Sequence, residues 1–234
     1  MPQNAKIIDC LSKFVPFWDR QIEVIVMTNG DADHMTGLID LANRYTVDQM
    51  IANNLVKETE RFKALRAVIV DKGIKVHAPK MGERVRVGKL DFEVVWPKNR
   101  LGDELVWFDQ ADERVLGANS YDKTQANEQS VVLKLEYGQF AALLTGDIGS
   151  KTETVLIKSG VDLRANLLKV GHHGSRFSST AEFLEAVGAK LAVVSVGKNN
   201  YGHPTREALA RLSEAGMKVW RTDEAGDVEV VSDG

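Results

Sequence analysis

Asp31, Asp33 and His34 place three metal-capable side chains within four residues of the segment Thr28-Asn-Gly-Asp-Ala-Asp-His34. The segment follows a β-branched run, Ile22 to Thr28, and precedes His34 to Tyr45. In the latter, Met35, Leu38, Ile39, Leu41 and Ala42 have the spacing of one helical face. A turn from strand to helix converges such side chains on one point, with the helix N-terminus facing them. Carboxylate oxygen and imidazole nitrogen are both ligands for divalent cations. The plainer alternative is an N-cap, with Asp33 capping the helix that begins near His34, worth about 1 kcal/mol.

Three further polar clusters end apolar segments. Asp147 closes Leu143-Leu-Thr-Gly-Asp147, where a turn aspartate is the plain alternative. His172 and His173 stand between Gly171 and Gly174, with Ser175 following, and glycine allows close approach of backbone or ligand. His203 sits in Asn199-Asn-Tyr-Gly-His-Pro204, where helix capping is the alternative. Polar residues at strand ends line a common rim in α/β architectures, so the four clusters together point to one site.

The elements that must position them follow from the pattern. Strands are predicted near 49–52, 75–78, 84–87 and 90–96, with a helix from Thr59 to Asp71 ended by Gly73. Residues 98–127 are polar and without sustained periodicity, which predicts a functional or mobile loop. Ser130 to Tyr137 alternates strictly and Gln139 to Leu144 forms the second arm of a hairpin. Helices are predicted at 151–159, 180–187 and 205–215, and strands at 166–170, 190–196, 217–221 and 228–231. No repeat or linker separates two domains, so residues 1–234 read as one mixed α/β domain built of two halves.

Composition limits the chemistry. The 234 residues carry 30 Lys+Arg against 33 Asp+Glu, for a net charge of −3. That balance is wrong for a generic nucleic-acid coat but leaves room for an enzyme that holds phosphates through metal ions. The one cysteine, Cys10, excludes an intramolecular disulfide and every Cys-rich zinc module, so a metal site must use His, Asp and Glu. The longest apolar runs fall far short of the roughly 20 residues of a spanning helix. No basic stretch followed by an apolar one marks a signal peptide.

The motifs resemble the metallo-β-lactamase superfamily of metallohydrolases, and within it the nuclease-like C-terminal domain of ComEC-type DNA-uptake competence proteins. The family pattern T-H-x-D-x-D-H-x-x-G-L is matched by Thr28 to Leu38. N-x-x-S followed by L-x-T-G-D is matched by Asn127, Ser130 and Leu143 to Asp147. L-K-V-G-H-H-G-S is present at 168–175, S-V-G-x-N-x-Y-G-H-P at Ser195 to Pro204, and R-T-D-x-x-G at Arg221 to Gly226. The resemblance implies a four-layer αββα sandwich with the site along one edge. Asn29 departs from the pattern, standing where the family has its first histidine. The motif is also reached by residue 28, which implies a shortened or divergent first part of the N-terminal sheet.

Carried over residue by residue, the resemblance implies that Asp33, His34 and His172 hold one metal ion. Asp147 bridges it to a second, weaker ion completed by Asp31 and Asn29. Oxygen-rich ligands at that second position suit Mn²⁺ or Mg²⁺ better than Zn²⁺. The implied activity is metal-dependent phosphodiester cleavage of DNA or RNA by a metal-bound hydroxide oriented by Asp33. His203 protonates the leaving group, and His173, Ser175 and Lys198 contact phosphate. Hydrolysis of a β-lactam or another ester or amide is the alternative on the same fold. A degenerate binding module is the alternative from another class, supported by Asn29. Related domains are attached to a membrane channel, and His77, outside every motif, reads as structural.

Overall fold

The computed structural model describes residues 5–53, 57, 59–99 and 123–234. The described residues fall into two compact units, one within residues 5–79 with 123–126 and the other from 80–99 with 127–234. Most of the loop expected at 98–127 lies outside the described residues.

The first unit begins with α1 (Ala5–Phe14), which the sequence reading left unassigned. It continues through β1 (Gln21–Met27), α2 (Ala32–Arg44), β2 (Thr46–Ala52), α3 (Glu60–Lys72) and β3 (Lys75–His77). The three strands pair in parallel in the order β1-β2-β3, and each is linked to the next through a helix. Helix α2 buries Met35, Leu38, Leu41 and Ala42, the face its periodicity gives. Helix α3 starts where the Thr59 hydroxyl accepts the Phe62 N–H and stops at Gly73 in the left-handed conformation. Phe62, Leu65 and Ile69 of α3 share a core with Ile25 and Met27 of β1 and Met50 of β2.

Helix α4 (Lys123–Glu128) makes residues 123–127 helical where a loop was expected. The second unit holds β4 (Arg84–Val87), β5 (Leu90–Trp96), β6 (Val132–Tyr137), β7 (Phe140–Leu144), α5 (Ser150–Ser159) and β8 (Leu167–Lys169). After these come α6 (Ala181–Val187), β9 (Leu191–Val194), α7 (Arg206–Glu214), β10 (Lys218–Arg221) and α8 (Thr222–Ala225). The seven strands run in the order β10-β9-β8-β7-β6-β5-β4. From β4 to β7 the pairing is antiparallel, and from β7 to β10 it is parallel. Parallel β7, β8 and β9 therefore release their following loops at one edge of this sheet, and those loops carry Asp147, His172 with His173, and His203.

Two expectations are corrected here. Residues 228–231 form no strand and Val231 is exposed. The alternation over 130–137 is not followed by burial, because Ser130 to Lys134 are buried on both faces of a strand flanked by β5 and β7. Lys134 tolerates this because its ammonium lies 3.1 Å from Asp162 Oδ2 and 3.6 Å from Glu136 Oε1. Among the described residues, no helix is long and apolar enough to cross a membrane.

A buried carboxylate anchors the segment beyond β8. Glu153 of α5, 1% exposed, accepts the backbone N–H groups of Ser179 and, at 2.9 Å, Thr180. Burial pushes its pKa above the ordinary carboxyl value, against the pull of those N–H donors. With the folded pKa raised, the contribution of Glu153 is fully present below the unfolded pKa and lost as pH rises through the folded one. Glu153→Ala leaves two N–H groups and a cavity behind, so thermal melts in chelator should show a loss of about 2–4 kcal/mol. The loss should be larger at pH 4 than at pH 8, and equal losses would remove the assigned shift.

Candidate metal centre

In the first unit, the turn between β1 and α2 is organised by Asn29. This residue is 1% exposed, and its Oδ1 accepts the Asp31 N–H at 2.9 Å, an Asx-type turn. Helix α2 begins at Ala32, so the cap position belongs to Asp31, whose side chain makes no capping hydrogen bond. The alternative that Asp33 caps the helix is thereby set aside. The Asp31 carboxylate pairs instead with the Lys57 ammonium. Asp33 lies in the first helical turn with its side chain 62% exposed, and its Oδ2 is 3.7 Å from His34 Nε2. The other ring nitrogen, His34 Nδ1, is hydrogen-bonded to Thr28 Oγ1 at 2.9 Å, which fixes the ring with Nε2 beside the Asp33 carboxylate.

In the second unit, Asp147 is 3% exposed and its backbone N–H donates to Ser130 Oγ. Its Oδ1 lies 3.7 Å from Lys169 Nζ, which also donates to the Gly146 carbonyl at 2.8 Å. Its Oδ2 lies 3.5 Å from His173 Nε2. His173 Nδ1 is 2.6 Å from the Ser195 carbonyl oxygen, which can only accept, so Nδ1 carries the proton in the neutral ring. The lone pair on Nε2 then faces a carboxylate oxygen. Two acceptors in that arrangement call for positive charge between them, supplied by a proton on the ring or by a metal ion.

His172 takes a different direction. Its ring lies 5.4 Å from that of His203, nearly perpendicular, and its Nε2 is 3.5 Å from Asn127 Nδ2. Within this unit the structure brings His173 to Asp147, whereas the sequence reading gave that role to His172. Both residues have left-handed backbones, with φ of 47° and 54°. Such conformations cost about 1–3 kcal/mol each and turn consecutive side chains to divergent directions.

His203 is half-buried, with its backbone held at both ends by the Asn199 side chain. Burial first, and the neighbouring His172 and His173 next, push its pKa below the ordinary imidazole value. The direction of this shift runs against the expectation of an imidazole that holds a proton near neutrality. Ser175 is buried, and its Oγ accepts the Phe177 N–H, a turn-building contact. Lys198 is exposed on the loop after β9.

Residues 19–198 match the family model described as the Metallo-beta-lactamase superfamily. The chain belongs to that superfamily. ComE operon protein 3 of Bacillus subtilis (strain 168) is 29% identical over 212 residues, covering 90% of this chain and 24% of that protein. Competence protein ComA of Neisseria gonorrhoeae is 38% identical over 124 residues, 52% of this chain and 18% of that protein. The chain thus spans about a quarter or less of the length of these curated relatives. Among solved structures, the metallo-beta-lactamase fold protein YhfI of Bacillus subtilis matches with a TM-score of 0.51 and 10% identity, over 86% of this chain and 75% of that one. That likeness is one of fold, and it agrees with the mixed α/β class expected. The resemblance to ComEC-type competence proteins read from the motifs stands.

Further residues hold these groups in place. Thr28 and the Ser195 carbonyl orient the two imidazoles, and Lys169 buttresses Asp147. Arg211 of α7 donates to the carbonyls of Arg176, Ser178 and Ser179, clamping the loop that follows His173. Thr222, within the Arg221 to Gly226 motif, exchanges two hydrogen bonds with the Val196 backbone, so this motif holds the loop after β9 in place. Each unit offers one imidazole Nε2 beside one carboxylate, His34 with Asp33 and His173 with Asp147. Nitrogen and oxygen donors of this kind fit a divalent cation.

Proposed function

We propose that the chain is a metal-dependent phosphodiesterase acting on single-stranded DNA or RNA, with residues 1–234 as one hydrolase domain. Asp147 and His173 would supply ligands for a Zn²⁺ or Mn²⁺ ion, and Asp33 with His34 is a second pair of donors of the same kind. The observation that carries this reading is the buried Asp147 carboxylate facing an imidazole whose tautomer is fixed by the Ser195 carbonyl. The nucleic-acid substrate is supported by the similarity to competence proteins.

Bound there, a divalent ion supplies Lewis acidity and lowers the pKa of water from 15.7 toward about 7. Around it, the protein's groups have distinct tasks. Asp33, exposed at the first turn of α2, orients the attacking water and accepts its proton. Lys169 holds Asp147 in place. His203, packed against His172, donates its N–H to the leaving oxygen. His172 orients that ring.

The test incubates the protein with labelled single-stranded DNA, RNA and a chromogenic cephalosporin, in Mn²⁺, Mg²⁺, Zn²⁺ or chelator. Cleavage of nucleic acid that disappears in chelator and returns with Mn²⁺ or Zn²⁺ is expected. Turnover of the cephalosporin alone would transfer the reading to β-lactam hydrolysis. A purified protein that neither contains nor binds these metals would overturn the enzymatic reading altogether.

A further inference from the structure

Lys57 belongs to the connection between β2 and α3, yet its side chain returns to the turn between β1 and α2. Its methylene stem packs over Gly30, with Cδ 3.5 Å from the point a Cβ on that glycine would occupy. Its ammonium pairs with Asp31 Oδ1, and only a fifth of the Lys57 side chain and a third of the Asp31 side chain meet solvent. On the same turn, the Asn29 side-chain oxygen is engaged by the Asp31 N–H. The two residues of this turn expected to complete a second metal position are thus both committed, one to a backbone amide and one to a fixed positive charge. An ammonium and a divalent ion repel each other and compete for one carboxylate oxygen.

We propose that Lys57 is a built-in cation at Asp31, occupying the place of a second metal ion, so that the protein works with a single bound ion. The proposal rests on the metal-centre reading given above. It assigns a charge to the turn that chelators cannot remove, and it explains how an asparagine is tolerated at position 29. Lys57 suits the role because an ammonium is a compact point charge on a stem long enough to lie across Gly30.

Metal counting tests this without reference to activity. Wild type, Lys57→Ala, Lys57→Gln and Lys57→Ala/Asp31→Asn would be dialysed to equilibrium against Mn²⁺ and, separately, Zn²⁺, with circular dichroism confirming the fold. Wild type should retain one equivalent. Both single Lys57 variants should gain a second, with affinity for that second ion raised at least tenfold, and the double variant should lose it again. Two equivalents in wild type, or one in both Lys57 variants, would overturn the role of Lys57 while leaving a metal centre standing. No bound ion in any variant would overturn the metal centre itself and this inference with it.

Discussion

Asp147→Ala is expected to abolish binding of a divalent metal and, under the proposed activity, to lower phosphodiester cleavage at least about a thousandfold. The size of the effect follows from where the carboxylate sits. It is buried at the end of β7, held by Ser130 through its backbone, and placed between Lys169 and the lone pair of His173. Without it, a cation would face an ammonium and an imidazole with no negative charge to offset them. Asp147→Asn preserves the shape and the Ser130 contact while removing the charge, so it should lose nearly as much metal as the alanine variant. His173→Ala should follow Asp147→Ala closely. His172→Ala should keep its metal and lose turnover instead, because its ring supports His203. Metal content per chain and single-turnover cleavage, measured side by side, check all four variants. Full cleavage by Asp147→Ala would assign the activity to another protein in the preparation, and metal loss in His172→Ala alone would restore the first assignment of the ligand.

The choice between those two histidines shows where sequence stops being informative. That the residues from Gly171 to Ser175 belong to a site is legible, because polar residues in a glycine bracket follow an apolar strand. Which ring faces Asp147 is decided by two left-handed backbone conformations and by the Ser195 carbonyl, 22 residues further on. No periodicity encodes such a contact. The same holds for Lys57, whose partner Asp31 lies 26 residues earlier, across a helix and a strand. The helices, by contrast, were legible: those expected from Thr59, Thr180 and Thr205 begin there, each with the threonine hydroxyl accepting an N–H of the first turn. Helix α1 was missed although Ile7, Ile8 and Leu11 pack against the core of the first unit. Its ten residues offer no acidic first turn to mark a start, although Ile7, Ile8, Leu11 and Phe14 have the spacing of one helical face. The buried face pairs of β6 escaped for a different reason, since type alternation carries no record of what covers the second face.

Gly174→Ala should be the most damaging small substitution in the second unit, costing roughly 3–5 kcal/mol of stability. Two costs add there. The residue has φ of 80°, which a side chain resists, and an added Cβ would lie 2.6 Å from Pro204 Cβ and 3.1 Å from Pro204 Cα. Pro204 cannot yield cheaply, because the Gly174 carbonyl accepts the Thr205 N–H at 2.9 Å and so ties the start of α7 to this turn. Displacing it would also carry His203 away from His172, so the fraction that remains folded should cleave substrate more slowly at unchanged metal content. Gly160→Ala provides the internal comparison. Its φ of 72° is similar, yet nothing lies within 4 Å of an added Cβ, so only the conformational cost of about 1 kcal/mol applies. Denaturant titrations of the two variants separate the terms: the difference between them measures the clash with Pro204. Equal losses would place the whole effect in the backbone conformation and free the Gly174–Pro204 contact from any part in positioning His203.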